Sequence, residues 1–395
     1  MAVEKGYIWK NLLKMISSIR IVFLALLLLL IHANTYSTTD TLSYSVFMGS
    51  RLAGEQLHWT DVDGTLNYYF TFNDRGRGPS LTERIHFDEG KLKSIEISGH
   101  DYTKNQVQEN FSIDQEQAKW QSTSDTGQQN YHSQYYYPMN GTPGGIEGLI
   151  RLLTDSKQDH IKLLPLGRIH VQRRDTFTID QQPLTLWSLG GVSYAPSFFW
   201  MTAQHKLFAI VSPSRGITCI RKGKEVLKDT LVRLQVEIED AYFRSLAKNI
   251  SDKPMGATAI ENVSIFNAHT GAIDDNKTLV FKDDKIIDLY NFGSKDLLPN
   301  CQVIDGENKV LLTGLFDMHV HIDKSDGLLH LGGGVTSVRD MAVQNNYIAD
   351  KQKLAEDFED NTMIGPHIVG LAGFIDGSGP FTRDKGIDNL TQGLQ

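Results

Sequence analysis

The spacing of apolar residues changes character along the chain, and each change marks a different kind of structure. Across residues 41–224, short alternating apolar stretches are separated by turn-forming residues, the pattern of an antiparallel all-β domain whose strands bury one face. Tyr68, Phe70 and Phe72 alternate ahead of Asn73-Asp74-Arg75-Gly76, and Glu89-Gly90 separates Ile85 and Phe87 from Leu92, Ile95 and Ile97. Both places predict hairpins. One helix interrupts the domain, because Ile146, Leu149, Ile150 and Leu153 recur at helical spacing after the breaker run 141–145. A longer helix is expected within 225–255, where Leu227, Leu231, Leu234, Ile238, Ala241 and Ser245 fall on one stripe and Lys228, Arg233, Glu237 and Glu239 lie off it. It reads as a domain connector, ended by Pro254 and Gly256.

Strand signals return over 256–313, at 260–267, 278–282, 285–290 and 301–304, with Asp283-Asp284 and Asp305-Gly306 as turns. This predicts a small β-sandwich segment. From 314 to 395 the order is a nearly continuous apolar strand spanning 311–322, Gly332-Gly333-Gly334, a strand at 335–338, a helix at 344–358 and a strand at 364–371. Strands alternating with helices imply a parallel sheet buried on both faces.

The N-terminal residues 1–37 follow a different logic. Lys5, Lys10, Lys14 and Arg20 precede the apolar run 21–31, and Ala33, Asn34, Thr35 and Ser37 follow, the layout of a secretory signal peptide. The run reaches about half of the roughly 20 residues a spanning helix needs, so a cleaved leader fits better than an anchor. Met15 is a second candidate start, directly ahead of Arg20 and the apolar run. A secreted or periplasmic protein with no stable membrane span is expected.

Composition agrees with a folded, multidomain chain: 395 residues, 40% hydrophobic and 22% charged. A formal net charge of −8 offers no broad positive field for phosphates, which argues against nucleic acid and for a small-molecule or peptide-like substrate. Arg75-Gly76-Arg77-Gly78-Pro79 reads as a tight solvated loop. The two cysteines, Cys219 and Cys301, fall in different predicted domains, show no metal-binding spacing and read as free thiols. Tyr131, Tyr135, Tyr136 and Tyr137, with Phe198-Phe199-Trp200, suit either a ligand groove or, more simply, a β core.

The chemistry concentrates at Gly314-Leu315-Phe316-Asp317-Met318-His319-Val320-His321. A strand has period two, so Asp317, His319 and His321 are expected on one face, and two neutral imidazoles from one strand supply half of a tetrahedral shell for zinc or a similar divalent ion. Single histidines such as His58, His86 and His330 need no such role.

Residues 312–321 resemble the first barrel strand of the amidohydrolase superfamily, which usually reads Pro-Gly-Leu-Ile-Asp-x-His-x-His; Thr313 stands where the proline is usual. The resemblance extends in order through Val303-Ile304-Asp305-Gly306, then Gly334-Val335-Thr336-Ser337-Val338-Arg339-Asp340, then Gly365-Pro366-His367-Ile368-Val369 with Ala372-Gly373. It covers about a third of the chain, from Ala259 on, and is nearest to the imidazolonepropionase-like and dipeptidase-like secreted members. It implies a (β/α)8 TIM-type barrel beside a small β-sandwich, with His319 and His321 on the more buried of one or two divalent metal ions, zinc by the family's habit. Arg339 and Asp340 would lie near the site or form a structural ion pair. The implied reaction is hydrolysis of an amide, cyclic amide or peptide carbon–nitrogen bond by metal-activated water.

Such a barrel takes about 250 residues, and 314–395 suffices for roughly three of its eight strands. The expectation is therefore the N-terminal part of a longer enzyme, inactive alone, whose bridging lysine, later histidine ligands and general-base aspartate lie on further strands. Asp376, Asp384 and Asp388 do not fill that last role. Oligomerisation stays open. The alternative is a non-catalytic secreted β-domain protein carrying an incomplete barrel remnant.

Overall fold

A computed structural model describes residues 41–156, 158–252, 254–343 and 348–373. The leader segment 1–37, the start of the helix expected at 344, and Asp376, Asp384 and Asp388 lie outside the described residues. The structure is largely β-sheet, and the described residues divide into two compact units: those within 41–168, 201–210 and 219–225 in one, the remainder in the other.

The first fifteen strands are β1 (Leu42–Met48), β2 (Arg51–Thr60), β3 (Leu66–Phe72), β4 (Ser80–Asp88), β5 (Lys91–His100), β6 (Gln106–Asp114), β7 (Gln117–Gln121), β8 (Thr126–Asn130), β9 (Tyr135–Tyr136), β10 (His160–Leu164), β11 (Arg168–Ile179), β12 (Gln182–Gly190), β13 (Ser197–Thr202), β14 (Leu207–Ser212) and β15 (Ile217–Arg221). In the first unit β1 to β8 form a large antiparallel meander, each strand beside the next. The alternation read in the sequence is what builds it: Leu81, Ile85 and Phe87 on β4 and Leu92, Ile95 and Ile97 on β5 are buried. Glu89 and Gly90 both take positive φ, at 48° and 78°, so the β4–β5 hairpin closes through a mirror-image turn that matches the twist of its strands.

One pairing in the first unit departs from an all-antiparallel plan. β9 and β10 pair in parallel, with Tyr135 opposite Leu163 and Tyr136 opposite Leu164. The reason is the helix between them, α1 (Ile146–Ser156), since parallel neighbours need a crossover of this length. Leu149, Ile150 and Leu153 form its buried stripe. Tyr135, Tyr136, Phe198, Phe199 and Trp200 are core residues rather than a groove lining, and the Arg75-Gly76-Arg77 tip is exposed.

The second unit contains α2 (Lys228–Ile250), then β16 (Thr258–Phe266), β17 (Ile273–Lys282), β18 (Lys285–Asn291), β19 (Gln302–Asp305) and β20 (Val310–Leu311), then β21 (Leu315–Val320), α3 (Gly327–Gly332), β22 (Val335–Val343), α4 (Ile348–Glu359) and β23 (His367–Gly373). β16 to β20 form a small sheet in the order β18-β17-β16-β19, with β20 also on β16. The stripe expected on α2 holds at Leu231 but not at Ala241 or Ser245, which are exposed. Gln235 is buried instead, because its amide accepts from Trp200 Nε1 at 3.2 Å and donates to the Val211 carbonyl at 2.8 Å. The helix is more than a connector. Arg244 bonds Asp357 on α4 at 2.6 Å, Lys324 bonds Asp240 at 2.5 Å, and Phe243 packs on the core beneath β21.

The single strand expected over 311–322 is two strands in different sheets, β20 and β21, divided at Leu312-Thr313-Gly314. β21, β22 and β23 lie side by side and parallel. One side is closed by Val320, Ile322, Val338, Leu354, Phe358 and Met363. Burial on both faces is not observed: Leu315, Phe316, Asp317, Met318 and His319 are exposed, because α4 covers only one side and the described residues supply no element for the other. Among the described residues no helix is long and apolar enough to cross a membrane.

Candidate metal centre

Three features of β21 set the positions of the histidines. Gly314 leads into the strand so close to Thr336 that a Cβ would sit 2.0 Å from its Oγ1, so this approach requires glycine. Val320 and Ile322 then enter the core, which turns the intervening positions outward. His319 and His321 are exposed, and their rings lie 5.8 Å apart with planes inclined by 25°. Asp317 is exposed too, and its carboxylate accepts the His319 backbone N–H at 3.1 Å.

This arrangement fits a cation as a half-site. Two imidazoles at this separation can each direct a nitrogen at one ion at the usual distance of about 2.0–2.1 Å, and they stand where β21 ends, the end of a parallel sheet at which ligands bind. Among the described residues no group of three or more His, Cys, Asp or Glu side chains is placed to hold a metal. Arg339 and Asp340, expected near the site or in a structural ion pair, adjoin the histidine strand and hold it to its neighbours: Arg339 Nε donates to the Met318 carbonyl at 3.0 Å, and Asp340, fully buried, pairs with Lys351 at 3.0 Å. His330 bonds the Asp326 carbonyl within its own turn, and His367 pairs with Glu359.

A second polar group, inside the first unit, was not anticipated from the sequence. Glu83 on β4 accepts the Thr142 N–H and hydroxyl, both at 2.7 Å, at the start of α1. Burial pushes its carboxyl up to about 7, against those two hydrogen bonds. Glu109 on β6 accepts the Tyr136 hydroxyl at 2.7 Å and the N–H groups of Met139 and Asn140 at 2.8 and 3.0 Å. His58 lies 3.5 Å from Glu147. Burial lowers the His58 pKa despite that carboxylate, whereas Glu147, although also desolvated, is held below the usual range by His58 and by the Leu207 N–H. These carboxylates fasten the segment 136–147 to the strands. The signal was present: Glu83 lies between Leu81 and Ile85, and Glu109 between Val107 and Phe111, on the buried parity of their strands.

No protein-family model matches the chain. Over 87 residues, 20% of the chain, it is 32% identical to an adenine deaminase of Staphylothermus marinus, of which this is 14%. A solved structure described as a prolidase, from Bifidobacterium longum, is similar over 36% of this chain and 39% of that one, with 20% identity and a TM-score of 0.31. A β-barrel-like protein of unknown function from Brucella abortus is similar over 46% of this chain and 94% of that one, with 10% identity and a TM-score of 0.31. The chain thus spans a seventh of its curated relative and about two fifths of the prolidase structure.

Proposed function

We propose that the protein is a metal-dependent hydrolase of carbon–nitrogen bonds, of the amidohydrolase kind, with His319 and His321 as two ligands of a divalent ion, zinc in the first instance. The observation that carries this reading is the pair of exposed imidazoles, 5.8 Å apart, at the end of β21. The local identity to an adenine deaminase, an enzyme that hydrolyses a carbon–nitrogen bond, agrees with it. The bound ion would lower the pKa of a water molecule toward neutrality and polarise the substrate carbonyl or its equivalent. The chain's own contribution is to hold two nitrogens together: Val320 and Ile322 anchor the strand, and Asp317 fixes the His319 backbone through its N–H. A (β/α)8 barrel continuing from β21-β22-β23 is part of the same proposal, as is export directed by the leader segment 1–37.

The test is an assay of the protein with that barrel complete against dipeptides, N-acyl amino acids, cyclic amides and aminopurines, before and after chelation. Hydrolysis that a chelator abolishes and zinc restores supports the proposal. Turnover unaffected by complete metal removal would refute it.

A further inference from the structure

The strand that carries both histidines is poorly held by its own ladder. Among the described residues β21 pairs only with β22, and the register is irregular between Asp317 and Val320, the stretch that contains His319. Its end is secured by other means. Ile322 is packed in the core, and its carbonyl accepts the Lys351 ammonium from the first turn of α4. The same ammonium lies 3.0 Å from Asp340, whose carboxylate is fully buried and whose backbone stands opposite Val320, the residue between the two histidines. A buried carboxylate needs a cation or hydrogen-bond donors, and Lys351 is the cation beside Asp340, so Asp340 also restricts where Lys351 can sit.

We propose that Lys351 is a positioning residue for the metal centre: by joining the Ile322 carbonyl to Asp340, it fixes the strand end from which His319 and His321 project. The inference rests on the metal-binding reading of those histidines. Supports one step removed from a metal set the orientation of its ligands, and losing one typically weakens binding by about 10–100-fold. An ion pair that only stabilised the fold would change unfolding and leave metal affinity alone.

The experiment measures zinc affinity by competition with a chromophoric chelator, and the visible spectrum with cobalt(II), for the wild-type protein, Lys351→Arg and the double variant Lys351→Met/Asp340→Leu. The double variant removes the latch without leaving a buried charge unpaired, which protects the fold. It should bind zinc at least about 10-fold more weakly and show an altered cobalt spectrum, whereas Lys351→Arg, which keeps a donor and a cation, should stay within about threefold of wild type. A folded double variant with wild-type zinc affinity and cobalt spectrum overturns the inference and leaves the metal site standing. Should the double variant not fold, Lys351→Met/Asp340→Asn, which also leaves no buried charge, replaces it with the same expected loss, and unchanged affinity there overturns the inference equally. A wild-type protein that binds neither ion overturns the metal-site reading itself, and this inference with it.

Discussion

The imidazoles of His319 and His321 stand side by side on the open side of a strand whose intervening and following residues, Val320 and Ile322, are buried. Neither ring owes its position to the other. Both are set by the parity of β21, and parity is readable from the sequence because apolar residues at 320 and 322 commit the other face to the core. The coordination proposed here needs nothing more from this strand.

Glu83 gives the clearest pH dependence. Its folded pKa of about 7 lies above that of an unfolded glutamate, so the folded state holds the extra proton between roughly pH 4.5 and 7, and its contribution to stability declines as pH rises through that window. Glu83→Gln removes the decline. The variant should gain on wild type from pH 4.5 to 7.5, by at most about 3 kcal/mol, in urea unfolding followed across pH. A stability difference that does not vary with pH would contradict the account of a carboxylate whose pKa is raised by burial.

Gly144 tests how tightly α1 enters the first unit. A Cβ there would lie 2.5 Å from His58 Nε2 and 2.5 Å from Tyr68 Cδ1, while one on Gly332 would meet nothing within 4 Å. Gly144→Ala should cost about 1–3 kcal/mol by forcing those rings apart, and Gly332→Ala should cost nothing of that kind. Equal thermal shifts in the two variants would be inconsistent with the packing.

The two thiols should separate in reactivity. Cys219 is buried, which pushes its thiol pKa far up, and Cys301 is partly exposed. Titration of the reduced native protein with a chromogenic disulfide reagent should label one thiol, Cys301, with Cys219 reacting only after denaturation. Rapid labelling of both would count against the burial of β15.

Much of the architecture was legible because period two and period 3.6 are printed in the chain. The β4–β5 hairpin, α1 and the strand–helix–strand order after β21 all follow from residues that bury one face. What escaped did so for physical reasons. The parallel pairing of β9 with β10 depends on partner choice, which no local pattern encodes. The stripe on α2 was misjudged at Gln235, whose amide is buried only because Trp200 and Val211, distant in sequence, satisfy it. At the candidate site the histidine pair was visible in eight residues, whereas the Lys351–Asp340 support joins a helix to a strand and has no signature in either alone.

Metal stoichiometry measures the central claim most directly. The purified protein, loaded with zinc and desalted, should retain bound metal by elemental analysis, and the His319→Ala/His321→Ala variant, equally folded by circular dichroism, should lose it. Identical zinc content in the two proteins would contradict the assignment of these imidazoles as ligands.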